Sequence, residues 1–249
     1  FRTKLSENLF KGLSPWMSRL PGGLVHVNWT DMNGEISLVL NTKFKNDSFL
    51  DLWILFLSLI KKVAFKTLDF HKIFTYAFDV RPNLYKALEN SGFFQEARLK
   101  DHAYIDGKFF DVVYHAFINP KHNLKLKKAD SSDCEVLFKW VNDLEVRKSS
   151  FISKPISWDE HVNWFKKVHK SSNTNIYIAK NSQNKPVGQV RIDYLNSYWY
   201  IDYSVDKDFR GLGLGTILIK KMISLNSKKE FLAKVKSKNI ASITVFENL

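Results

Sequence analysis

A single cysteine, Cys134, stands in the whole of this 249-residue sequence. It excludes an intrachain disulfide, and no grouping of Cys and His has metal-ligating spacing. No metal is therefore expected, and a reducing compartment, the cytoplasm, suits the lone thiol. The seven histidines are dispersed, with no two-His helical pair among them. Long hydrophobic runs are missing as well. The most apolar stretch, FLDLWILFLSLI at 49–60, contains Asp51 and is about half the length needed to cross a bilayer, so a buried helix is expected and not a membrane span. No signal peptide is visible, although the chain opens on Phe1.

Acidic residues are outnumbered, 25 against 38 basic ones, for a net charge of +13. Residues 1–123 carry 16 basic and 12 acidic groups, and residues 124–249 carry 22 and 13. Such a balance favours a polyanionic partner, whether a phosphorylated cofactor, an anionic surface or nucleic acid. The pairs Lys61-Lys62, Lys127-Lys128, Lys166-Lys167, Lys220-Lys221 and Lys228-Lys229 are interleaved with apolar positions. They read as solvated edges of helices and strands, not as one nucleic-acid stripe, and no nucleic-acid partner is expected. Twenty Phe, nine Tyr and seven Trp supply core packing and do not by themselves make a site.

Turn formers fill residues 1–22, a lead-in segment. Alternation marks strands at Leu24–Trp29 and Glu35–Asn41, and helical periodicity follows near 49–67. Lys72–Phe78 reads as a buried strand. Pro82 opens a helix that runs to Asn90 and is ended by Gly92, and strands 96–106 and 108–118 meet at Asp106-Gly107. Pro120–Asn123 forms a boundary. Beyond it come a strand at 124–127, a helix capped by Ser131 or Ser132 with Glu135 closing a capping box, and a second helix opened by Ser157-Trp158-Asp159-Glu160. Strands follow at 174–180, 187–194 and 198–205. A helix at 212–226, a strand at 231–236 and a helix at 239–248 complete the chain. The fold class expected is α/β, with a mixed, mainly antiparallel central sheet flanked by helices. The order of residues 23–122 repeats the latter half of the order of 123–249 and adds two strands, so the two segments form a tandem pair whose first copy is degenerate.

Glycine is scarce, ten residues in all, yet three of them stand at 211, 213 and 215 in Arg210-Gly211-Leu212-Gly213-Leu214-Gly215. A strand precedes this turn and an apolar helix follows it. Glycines permit close backbone approach there, and the amides and dipole at the helix start can receive a pyrophosphate. A P-loop would need Gly-Lys followed by Ser or Thr, which is absent. A dinucleotide fold would need a mostly parallel sheet and an acidic residue about 20 positions on, whereas this turn follows antiparallel strands.

With this context, residues 124–249 resemble the GNAT family of N-acetyltransferases. The family's acetyl-CoA signature, Gln/Arg-x-x-Gly-x-Gly/Ala, is matched by Arg210, Gly213 and Gly215. The resemblance implies acetyl-CoA as cosubstrate, held by Arg210, Gly211, Gly213, Gly215 and Thr216, with the strand at Tyr203 and Val205 and the helix start at Asn239 along the pantetheine arm. A second likeness involves Trp140-Val141-Asn142-Asp143, Arg147 and Phe151 to Phe165. This stretch looks like that of acetyltransferases acting on nucleotide-linked amino deoxy sugars of bacterial surfaces. It implies a small-molecule amine acceptor contacted by Arg147, Glu160, His161 and Tyr200.

Acetyl transfer needs a neutral amine, donors for the developing oxyanion and a proton for the departing thiolate, and no covalent enzyme intermediate. Cys134 is accordingly read as packing. Asp202 and His161 are the candidate bases, and Tyr203 and Tyr200 the candidate donors. Many relatives carry a tyrosine just before Glu in the last helix. Here Phe246 takes its place, and Phe has no proton to give. In the first copy Thr42 to Ser48 contains no glycine and Leu88 stands where the tyrosine would be, so no acetyl-CoA site is expected there. Two other readings stay open: a non-catalytic acyl-CoA-binding module, which the missing tyrosine favours, and an acetyltransferase for protein or other small-molecule amines.

Overall fold

A computed structural model of the chain describes residues 22–38, 46–80 and 83–249. The chain divides between Asn119 and Pro120 into two compact units. Each holds one five-stranded sheet with helices against it, so the class is mixed α/β, consistent with a tandem arrangement. No helix of the described residues is long and apolar enough to cross a membrane. The lead-in up to Pro21, the glycine-free turn at 42–45 and Pro82 lie outside the described residues.

The first unit runs β1 (Gly22–Asn28), β2 (Asn33–Leu38), α1 (Asn46–Lys62), a π-helical turn (Val63–Thr67), β3 (Lys72–Phe78), α2 (Asn83–Asn90), β4 (Phe94–Ile105) and β5 (Lys108–Ile118). The sheet order is β1-β2-β3-β5-β4. β1 and β2 are antiparallel, β2 and β3 parallel. Asp106 and Gly107 join β4 to β5 with φ of 48° and 80°, the pair of left-handed residues that a tight hairpin of this twist requires. The apolar stretch 49–60 lies within α1, and Leu52, Trp53, Leu57 and Ile60 are buried.

The second unit begins with β6 (Lys125–Lys128), a 3-10 turn (Ser131–Asp133), α3 (Cys134–Val141), α4 (Leu144–Ser149) and α5 (Trp158–Lys170). β7 (Thr174–Lys180), β8 (Pro186–Leu195) and β9 (Tyr198–Val205) follow. A second 3-10 turn (Lys207–Phe209), α6 (Leu214–Leu225), β10 (Phe231–Leu232) and α7 (Ile240–Glu247) end the chain. The sheet order is β10-β9-β8-β7-β6, antiparallel except for β10 on β9. An antiparallel hairpin, a helix, a parallel strand and a helix thus occur in both units: β1-β2-α1-β3-α2 in the first and β8-β9-α6-β10-α7 in the second.

The sheet of the second unit is covered on both faces. On one, Leu137, Trp140 and Phe165 of α3 and α5 pack with Ile176 and Ile178 of β7. On the other, α6 lies on β8 and β9 and buries Leu214, Leu218, Ile219 and Met222. Each such side chain contributes about 1.5–3 kcal/mol. Gly188 allows this approach: a Cβ there would lie 2.6 Å from the Ser204 carbonyl and 3.3 Å from Leu218. Trp140 also donates Nε1 to the Asp206 carboxylate at 2.7 Å inside the core. Trp140→Phe is expected to strand that buried carboxylate and to lower stability by about 1–3 kcal/mol, measurable by denaturant unfolding.

Three local readings are corrected. The first helix of this unit is entered through Asp130, not Ser131 or Ser132. Asp130 accepts from the Ser132 amide and hydroxyl, and Asp133, three residues on, closes the capping box that Glu135 was expected to close. α4 forms where the sequence suggested no element, because Asp143 caps it by accepting from the amides of Glu145 and Val146. The helix within 212–226, expected to start near Leu214, starts there, with Gly211 to Gly213 in the turn. The strand expected at 231–236 pairs only at Phe231 and Leu232. The box at Ser157 and Glu160 forms as read.

Candidate active site

Alternation places Tyr200, Asp202 and Ser204 on one face of β9 and Ile201, Tyr203 and Val205 on the other. β10 follows β9 only across Phe231↔Trp199 and Leu232↔Tyr200. Among the described residues, the edge of β9 from Ile201 to Val205 therefore has no neighbouring strand on that side. Asp206 then turns the chain, its carboxylate accepting from the Asp208 amide.

In the glycine turn, Gly211 and Gly213 have φ of 77° and 80°, a region that side chains disfavour. Gly213 is the N-cap of α6, and α6 has no side-chain cap. Its first amides have no intrahelical acceptor and point out of the helix end. A Cβ on Gly213 would meet only Lys121 Cε, at 3.7 Å, so the approach to this turn is open. Gly215 serves a different purpose. A Cβ there would lie 2.8 Å from Tyr203 Cε2 and 3.1 Å from Val245, so its glycine makes room for the Tyr203 ring, not for a ligand. Thr216 sits half-buried in the same first turn of α6.

Arg210 is turned inward. Its Nη2 donates to Asp143 Oδ1 at 2.7 Å and its Nε to the Val205 carbonyl at 3.0 Å. It braces the turn against the N-terminus of α4 and the end of β9. Burial raises the Asp143 carboxyl, but the hydrogen bonds from Arg210 and two amides outweigh it, and the net shift is downward. Asp143 could not be assigned from the sequence, since its partner stands 67 positions away.

Tyr203 donates its hydroxyl to Ser242 Oγ at 3.3 Å, and Ser242 Oγ accepts from Asn239 Nδ2 at 3.0 Å. Asn239 also accepts from the Ser242 amide and so caps α7. Phe246 packs edge-on against the Tyr203 ring at 5.9 Å. Burial raises the Tyr203 pKa, with Asp202 adding to the rise and the Ser242 bond opposing it. Ser242 was not singled out from the sequence. The spacing of Asn239 and Ser242, a cap and the residue three on, was the available signal.

Asp202 stands on the opposite face of β9, and its side chain is exposed. Desolvation by the surrounding protein raises its pKa. Arg191, the Tyr203 amide and Arg147 oppose the rise, and Asp193 adds to it. Arg191 faces Asp202 across the β8–β9 ladder. Tyr200, two residues earlier on the same face, has the ammonium of Lys234 4.9 Å from its ring centre.

His161 does not join this group. It is 2% exposed, its Nε2 lies 2.9 Å from the Cys134 carbonyl oxygen, and Phe138, Trp164 and Phe165 surround its ring. Burial lowers its pKa. It is a packing residue between α3 and α5 and has too little exposed surface to meet an acceptor. Glu160 is engaged in the cap, accepting from the Ser157 amide and hydroxyl. Arg147 donates to the carbonyls of Ile152 and Lys154 and to Ser150 Oγ, tying down the loop before α5. Cys134 is half-buried, and burial raises its thiol pKa, which suits packing. Among the described residues no three His, Cys, Asp or Glu side chains gather as a metal site.

The chain resembles known proteins, and the family match falls on the same part of it. The model of the acetyltransferase (GNAT) domain matches residues 123–249. An uncharacterized protein of Methanocaldococcus jannaschii is 25% identical over 171 residues, 64% of this chain and 35% of that protein. The chain thus spans about a third of the length of this curated relative. Among solved structures, a spermidine N-acetyltransferase from Vibrio cholerae in complex with CoA and spermine aligns over 51% of this chain and 79% of its own, with TM-score 0.47 and 16% identity. A domain from Methanocaldococcus jannaschii aligns over 51% and 86%, with TM-score 0.42 and 24% identity. With the signature turn, the uncapped helix and the open strand edge in place, the matched half identifies the chain as a member of the GNAT acetyltransferase family.

Proposed function

We propose that residues 123–249 transfer an acetyl group from acetyl-CoA to the primary amine of a small molecule, both substrates being bound together. The observation that carries this reading is the turn at Gly211 to Gly213, whose left-handed glycines end at an uncapped helix beside an open strand edge. The residues fit the cosubstrate. Amides of the turn and of the first turn of α6, with Thr216, would hold the pyrophosphate. The free edge of β9 from Tyr203 to Val205, and Asn239 at the start of α7, would lie along the pantetheine arm. Acetyl-CoA supplies the activated acetyl thioester.

The chain's own residues divide the proton work between the two faces of β9. Asp202 takes a proton from the acceptor amine, directly or through water, and its raised pKa makes it a better base than an ordinary aspartate. On the other face the hydroxyls of Tyr203 and Ser242 form a chain that Asn239 orients, and this chain delivers a proton to the departing sulfur. Phe246 stands where the family's tyrosine would be and packs edge-on against the Tyr203 ring. Tyr203→Phe and Ser242→Ala are each expected to lower kcat about 100-fold, at the lower end of the range of general acid catalysis. The double variant should lose little more than the worse single one, because the hydroxyls act as a unit. Additive losses in single-turnover kinetics would refute the chain.

The acceptor is proposed at the level of a small-molecule amine. A nucleotide-linked amino sugar is suggested by the stretch 140–165. Much of that stretch serves the frame, however: Trp140 holds Asp206, and Asn142 bonds both the amide and the carbonyl of Ile156. The Vibrio cholerae enzyme is a spermidine N-acetyltransferase, and the likeness to it concerns the fold alone. Thiol release from acetyl-CoA, measured with amino-sugar nucleotides, simple amines and spermidine, tests the reading. Turnover with mass gain on any amine supports it, and tight acetyl-CoA binding without turnover on any would favour the non-catalytic module.

A further inference from the structure

We propose that Arg191 selects acceptors whose reacting amine lies a few bonds from an oxyanion, either a phosphate or a carboxylate. This inference rests on the acetyl-transfer reading and specifies the acceptor of that same site. Arg191 and Asp202 are directly opposed residues of β8 and β9 and project from the same face of the sheet. Side chains so placed are neighbours. The base and the guanidinium therefore border one acceptor position.

Arg191 is held from behind. Its Nε lies 2.9 Å from Asp193 Oδ2, and Asp193 accepts from the Thr174 hydroxyl at 2.7 Å. Its guanidinium carbon stands 5.9 Å from the centre of the Trp164 ring. The two Nη groups make no hydrogen bond among the described residues, and about a third of the side chain is exposed, 34%. A planar fork whose Nε side is ion-paired with Asp193, and whose outer donors make no hydrogen bond among the described residues, fits two oxygens of a phosphate or carboxylate side by side.

The surrounding charges point the same way. Arg147 also acts on Asp202, but its own Nη donors are used on the loop before α5. Lys234 stands over Tyr200 on the same face as Asp202. Against these three cations stand Asp193, already paired with Arg191, and Asp202 itself. A polyamine would bring further positive charge to a place where Arg191 and Arg147 already act on Asp202. An amine carrying an oxyanion offers its nitrogen to Asp202 and its oxygens to Arg191.

Matched probes test this on the full chain: phosphoethanolamine, β-alanine, ethanolamine and spermidine, each with acetyl-CoA, in wild type, Arg191→Gln and Arg191→Lys. The phosphate-bearing or the carboxylate-bearing probe should exceed ethanolamine in kcat/KM by about tenfold or more, the worth of one charge-assisted contact. Which of the two leads separates the sources of the oxyanion. Arg191→Gln should erase the difference through acceptor KM while leaving the acetyl-CoA KM unchanged, and Arg191→Lys should restore part of it. A preference for spermidine, or an equal loss on all four probes in Arg191→Gln, would overturn the inference and leave acetyl transfer standing. If no probe is turned over, calorimetric binding of phosphoethanolamine and β-alanine to the CoA-saturated protein decides. Binding weakened about tenfold in Arg191→Gln upholds the role of Arg191 while transferase activity fails, and no binding of either overturns it.

Discussion

Asp202→Asn should lower kcat/KM for the amine by about 10²–10³-fold, the range expected for loss of a positioned general base, and leave the KM for acetyl-CoA unchanged. The substitution keeps the shape of the side chain and removes only its ability to take a proton. Wild-type activity should fall with acidity as Asp202 is protonated. Because crowding by protein raises its pKa, that fall should begin at a higher pH than an ordinary aspartate would give, and it should vanish from the residual activity of the variant. Stability should move the other way. A carboxyl whose pKa is raised on folding binds more protons in the native state than in the unfolded one over the window between the two values. Stability therefore declines as pH rises through that window. Asp202→Asn removes this cost, so at neutral pH its thermal midpoint should match or exceed that of the wild type. A lower midpoint together with the lost activity would show that Asp202 is a structural strand residue.

Gly215→Val should be the most damaging change in the clamp, and for a reason that Gly213 does not share. The new Cβ would stand 2.8 Å from a ring carbon of Tyr203 and 3.1 Å from Val245, both anchored in the packing between α6, β9 and α7. Forcing atoms into such a site costs about 1–3 kcal/mol. It also shifts Tyr203 from Ser242 and moves the start of α6. Acetyl-CoA affinity, kcat and thermal midpoint should all drop. At Gly213 the space is open, and the constraint is a φ of 80°, where a side chain costs about 1–2 kcal/mol. Gly213→Val should weaken acetyl-CoA binding while leaving the kcat at saturating acetyl-CoA close to wild type. If the two variants had the same kinetic signature, the different purposes assigned to the two glycines would be wrong.

The elements that carry the site were legible where one strong local signal stood without a rival. Alternation located β7, β8 and β9, the scarcity of glycine made the cluster at 211–215 conspicuous, and Ser157 with Glu160 announced α5. What could not be read depends on partners remote in the chain. His161 opens an amphipathic helix and has the look of a surface residue, but the carbonyl that accepts it belongs to Cys134, on another helix. Arg210 matches the signature position, yet Asp143 and the Val205 carbonyl use its donors within the protein. The strand at 231–236 had a suitable pattern, and its early departure from β9 is a property of the sheet edge that no local pattern records. At the entry to α3 two capping patterns overlapped, and Asp130 prevailed because Asp133 completes its box and Lys127 pairs with its carboxylate at 2.6 Å.

Calorimetric titration of acetyl-CoA into the full chain and its variants tests the clamp most directly. Saturable one-to-one binding is expected for the wild type, retained in Asp202→Asn and at least about tenfold weaker in Gly213→Val and Gly215→Val, as loss of the pyrophosphate amides requires. No binding to the wild type, or equal binding by all four proteins, would contradict the assignment of Gly211 to Gly215 as the acetyl-CoA turn.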